Sequence, residues 1–163
     1  MQLTLLRFAA IVGIGGSLLA VAVPAFVRAL NASKTTEALD GLHTLSVGAV
    51  SKADLHEQAE SFPPSVELTP AEVPRGVKVL DPPGTWEHLT WRALDFRMDH
   101  EHAFSFRFES SVDKVTGTAR FAARAHGDLD GDGSWSTFEV RGERQPGSAA
   151  RVMSGLLVSR ELE

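Results

Sequence analysis

Asp128-Leu129-Asp130-Gly131-Asp132-Gly133-Ser134-Trp135-Ser136-Thr137-Phe138-Glu139 follows the pattern D-x-D-x-D-G-x5-E in full. A hard cation such as calcium takes roughly six to eight oxygen ligands, and acids at alternate positions bring their carboxylates to one point. Glycine permits the sharp bend that this convergence needs. The spacing predicts calcium as cofactor, held by the carboxylates of Asp128, Asp130, Asp132 and Glu139, the Ser134 carbonyl and a water on Ser136. Clustered carboxylates repel one another without a cation, which favours that reading. The competing reading is an Asp/Gly turn that reverses the chain and binds nothing.

No other constellation points to chemistry. Asp99-His100-Glu101-His102 has metal-like composition, but His100 and His102 share strand parity with Phe104, so these histidines are expected to edge an aromatic face. Serines, histidines and acids show no nucleophile-elbow or metalloprotease spacing, so no enzyme is expected. Cysteine is absent, which excludes disulfides and thiolate chemistry. A net charge of −5 and a pI near 5.7 argue against nucleic acid as a partner. Arg141, Arg144, Arg151 and Arg160 gather late, but Glu139, Glu143, Glu161 and Glu163 lie among them.

The acidic loop must sit between strands. Phe104, Phe106 and Phe108 alternate with Ser105, Arg107 and Glu109, the period of a half-buried strand. A second strand is predicted from Val115 to Ala125, a third from Trp135 to Arg141, and a fourth within Gly155–Leu162. The flanks are therefore strands and not helices, and Glu139 risks pointing away from the loop. One face of such a sheet needs a cover. Leu30, Ala38, Leu42, Leu45, Ala49 and Ala53 form a stripe at helical spacing, with one longer gap at the start, and supply it. Pro63-Pro64 is expected to end that helix. Residues 61–85 are proline-rich and read as a long surface loop, and Trp86–Phe96 as a short helix anchored by Trp91, Leu94 and Phe96.

The stripe continues an uncharged apolar run from Phe8 to Val27. At about 1.5 Å per residue this run would span roughly 30 Å, the thickness of a bilayer's hydrocarbon core. A cleaved secretory signal ending near Ala22 is the competing reading, disfavoured by the run's length and by Gly13, Gly15 and Gly16 within it. The predicted fold is α+β: a long helix, half membrane-spanning and half amphipathic, packed on a three- to four-stranded antiparallel sheet. The expected divisions are 1–30 for the spanning helix, 31–60 for its amphipathic continuation and 61–163 for a globular head.

The chain resembles a type IV pilin or pilin-like subunit. Leu3-Thr4-Leu5-Leu6-Arg7 stands where that family has Phe-Thr-Leu-Ile-Glu, and Val23-Pro24-Ala25-Phe26 on its Ile-Pro-Ala-Phe. Ser33-Lys34, Glu37-Ala38, Leu42 and Gly48-Ala49 follow the usual pilin helix. Phe62-Pro63-Pro64, residues 91–96, Gly127–Gly133 and the terminal Arg160-Glu-Leu-Glu163 look like those of deltaproteobacterial pilins. The resemblance implies a structural subunit, minor or atypical, of a pilus or related secretion filament. Its partners would be other pilin subunits, with a single-pass inner-membrane stage, a periplasmic head and a cell-surface filament after assembly. Arg7, Gly15, Gly16, Pro24 and Phe26 would be its assembly residues. Arg7 reverses the family's acidic charge, and only Met1-Gln2 precede Leu3, so processing by prepilin peptidase is not expected. That departure motivates an alternative: a membrane-anchored periplasmic calcium-binding module that does not polymerise.

Overall fold

The phenylalanine alternation becomes the centre of an antiparallel sheet in the computed structural model, which describes residues 35–159. Strand β2 (Phe104–Val112) pairs with β1 (Val66–Thr69) on one side and β3 (Ala119–Gly127) on the other. Strand β4 (Ser136–Arg144) follows β3, and both β5 (Arg151–Val152) and β6 (Leu157–Ser159) pair with β4. Phe104, Phe106 and Phe108 are wholly buried, as are Ala123 and Ala125 opposite them. Fully burying such a phenylalanine contributes about 1.5–3 kcal/mol.

Helix α1 (residues 35–53) covers the inner face of the sheet. Ala38, Leu42, Leu45, Ala49 and Ala53 along its stripe are each no more than 1% exposed. Small residues set how closely the helix approaches. A Cβ added at Gly48 would stand 2.6 Å from the carbonyl oxygen of Leu94, the last residue of helix α2 (Leu89–Leu94). Between α2 and the sheet, Trp86 meets Trp91 and Phe96 edge-on, with ring centroids 5.5 and 5.4 Å away.

Two expectations are corrected. The sheet has six strands, not three or four, and the longest described helix covers 19 residues. The extra strands come from segments with weak local signals. Val66–Thr69 lies between Pro64 and Pro70 inside the supposed surface loop. The C-terminal strand is broken in two at a bend where Gly155 has φ +113°. Helix α1 also stops well before Pro63, because Arg144 of β4 caps it: its Nη1 donates to the carbonyls of Ala53 and His56, both at 2.9 Å.

The second correction concerns location. No helix among the described residues is long and apolar enough to cross a membrane, so the single-pass inner-membrane placement is not supported. The apolar run from Phe8 to Val27 and the assembly residues Arg7, Gly15, Gly16, Pro24 and Phe26 lie outside the described residues.

Candidate metal centre

Strands β3 and β4 run in register to Gly127↔Ser136, and residues 128–135 close the hairpin between them. The loop enters with Asp128, 1% exposed, whose carbonyl accepts the Gly76 N–H at 2.7 Å. Next comes Leu129, 3% exposed, which anchors the loop in the core. The chain then curls around the first acid. Asp128 Oδ1 accepts from the Gly131 N–H at 2.7 Å and Oδ2 from the Gly133 N–H at 3.0 Å. Both glycines have positive φ, +84° and +93°, a conformation that costs other residues about a kcal/mol or more.

The two exposed acids repeat the device on a smaller scale. Asp130 accepts from the Asp132 N–H at 3.1 Å, and Asp132 from the Ser134 N–H at 2.6 Å. Asp128, Asp130 and Asp132 each place a carboxylate oxygen within 4.8 Å of the others. The donor set is all oxygen and carries three negative charges, which fits a hard divalent cation. Each Asp128 oxygen takes one hydrogen bond and keeps a lone pair for a ligand. The Ser134 carbonyl lies next along the loop, whereas Ser136 is buried inside β4.

The predicted sixth residue goes elsewhere. Glu139 lies three residues into β4 from Ser136, about 10 Å along a strand, and faces Arg124 across the ladder. It accepts from the Nε–H groups of both Arg124 and Arg141. Burial alone would raise its pKa, but the hydrogen bonds and charges of the two arginines outweigh this and hold it below the ordinary carboxylate range. Arg124 in turn donates to Glu109 at 2.5 Å. Glu139 thus belongs to a lattice of ion pairs on the outer sheet face, and the three aspartates stand without it.

Sequence reasoning missed the polar contacts that fix the connection before β2. His102, read as the edge of an aromatic face, is wholly buried against Asp81, while His100 is exposed. Glu37 of α1 accepts from the Ala103 N–H at 2.6 Å and pairs with Lys78 at 2.7 Å. These partners lie far apart in sequence and carry no local pattern. Comparison with protein-family models, with curated proteins and with solved structures finds no match.

Proposed function

We propose that the protein is a non-enzymatic structural subunit, pilin-like and minor or atypical, of a type IV pilus or related secretion filament. The observation that carries this reading is α1. Its stripe from Ala38 to Ala53 is buried in the core that it shares with the sheet and α2, while the sequence upstream of it holds an uncharged apolar run. On this reading the apolar run contacts other subunits, which are the proposed partners. The filament fraction sheared from producing cells tests this. The protein should be recovered there, and replacing residues 8–27 by an unrelated apolar helix should remove it. Unchanged recovery after that replacement would overturn assembly through this segment.

A second reading rests on the three carboxylates within 4.8 Å: a calcium-binding module that does not polymerise. Asp128, Asp130 and Asp132 would hold the ion, with the Ser134 carbonyl and water completing the shell. The ion would cancel their repulsion and stiffen the hairpin. Calcium dependence of the melting temperature decides whether the site works, and recovery in filaments decides whether the protein polymerises.

A further inference from the structure

Ala122 stands on the outer face of β3 among four arginines. Arg120 and Arg124 flank it two residues away on its own strand, and Arg141 is its partner on β4. Arg107 stands diagonally across on β2, opposite Arg124. Two residues along a strand cover about 7 Å, and neighbouring strands lie about 4.8 Å apart, so one methyl among four long side chains leaves a hollow. It measures about 550 Å³, and all four arginines line it. Small ligands bind in hollows of about 300–1,000 Å³.

The acids of this face brace the arginines. Glu109 gives one oxygen to Arg107 Nη2 at 2.9 Å and the other to Arg124 Nη1 at 2.5 Å. Glu139 takes the Nε–H groups of Arg124 and Arg141 in the same way. Three cations bridged by two carboxylates leave one positive charge in excess, and Arg120 raises the excess to two. The remaining acids stand at the rim. Glu143, opposite Arg120, is taken by Arg151 at 2.7 Å. Asp113 approaches Arg120 only to 3.9 Å, while its other oxygen holds the N–H groups of Val115 and Thr116. Glu67 pairs with Arg107 at 3.3 Å but is 86% exposed, where water screens the pair. Donor capacity points the same way. Among the described residues no acceptor meets the Nη groups of Arg141 or hydrogen-bonds to Arg120, and Arg107 Nε is buried without one. His126, farther along the face, is held below its ordinary pKa, first by burial and then by the charges of Arg124 and Arg107.

We propose that this hollow binds a small dianionic oxyanion, a phosphate or a phosphate monoester. Two excess positive charges match a dianion, and guanidinium groups meet phosphate oxygens with paired, charge-assisted hydrogen bonds. Met153 lines the β5 side and is 44% exposed, an apolar wall for the organic part of an ester. A phosphodiester polymer presents one charge per unit to a chain of net charge −5 and fits less well.

Titrating the calcium-free full chain with inorganic phosphate and, separately, with phenyl phosphate tests the site at mildly alkaline pH. Nitrogen NMR of the arginine Nε–H groups is the readout, and sodium chloride of matched ionic strength is the baseline. Arg107 and Arg141 should shift saturably, while Arg75, Arg92 and Arg97, outside the hollow, should follow the baseline. Arg120 makes no hydrogen bond among the described residues, so Arg120→Gln should keep the fold and weaken binding about tenfold. Ala122→Leu fills the hollow, leaves every charge in place and should abolish binding. Tighter binding of phenyl phosphate identifies a monoester resting on Met153, and equal binding identifies free phosphate; either supports the site. Shifts no larger than those of chloride, or spread evenly over all arginines, would overturn it. So would natural affinity in Arg120→Gln, which decides the matter alone if Ala122→Leu fails to fold.

Discussion

Glu139 sits between two guanidinium groups on the outer face of β4, and its behaviour with pH follows from them. Its pKa in the folded protein is held below the ordinary value of 4.5 by Arg124 and Arg141, against the opposing effect of burial. A depressed folded value contributes stability that is present above the unfolded pKa and lost as pH falls through the folded one. Glu139→Gln should therefore flatten the acid limb of the melting temperature measured from pH 6 downward. At neutral pH it should cost about 1–3 kcal/mol, since two charge-assisted hydrogen bonds lose their acceptor's charge. An acid limb unchanged by the substitution would show that the pairs do not contribute. The same residue marks how far the site was legible. The alternate aspartates and glycines announce their loop from spacing alone, because the aspartate side-chain hydrogen bonds that curl it all lie within five residues, even though the Gly76 N–H also holds its first residue from afar. Glu139 satisfies the same motif, yet its true partners come from the neighbouring strand and from two residues on. Strand parity, with Phe138 inward, was the one signal that separated it from the loop.

Helix α1 and the aromatic strand were readable because each repeats one period over many residues, and burial follows that period: Leu42 and Leu45 on the helix, Phe104 to Phe108 on β2. Strand β1 was not, since four residues between prolines show no period, and its pairing depends on β2 some forty positions away. The end of α1 is another long-range property. It is set by Arg144, which also donates to the Ser61 hydroxyl at 3.0 Å and pairs with Asp54 at 3.4 Å. Replacing Arg144 by alanine takes a donor from both the Ala53 and the His56 carbonyl, and leaves Ala53 with the His56 N–H at 3.3 Å. The expected loss is about 1–3 kcal/mol, with faster amide exchange confined to the last turn of α1 and the Gln58–Glu60 turn. Uniform acceleration over the whole helix would mean that Arg144 holds the fold as a unit and not the helix end.

At the scale of the whole molecule, the sheet has one face sealed by helices and another laced by ion pairs, and the acidic loop closes one end of the β3–β4 hairpin. The chain carries a net charge of −5, and three of its carboxylates converge at that end. A cation bound only by the folded loop stabilises the fold by mass action, about 2.7 kcal/mol at a hundredfold excess over its dissociation constant. For a domain of this size that raises the melting temperature by roughly 5–15 °C, a shift that chelation should reverse. The variants separate the ion from the loop's own folding. Asp130 has a single hydrogen bond within the loop, to the Asp132 N–H, so Asp130→Ala should abolish the calcium shift with little effect on the calcium-free protein. Asp128 ties two backbone N–H groups from a buried position, so Asp128→Ala should destabilise the protein with or without calcium. Magnesium serves as the control, because it demands a smaller octahedral shell and gives up water reluctantly. A melting temperature indifferent to calcium and chelator, in the natural protein and in Asp130→Ala alike, would leave the loop as a turn closed by its own backbone. The filament test is independent of that result, since it turns on residues 8–27 and not on the hairpin.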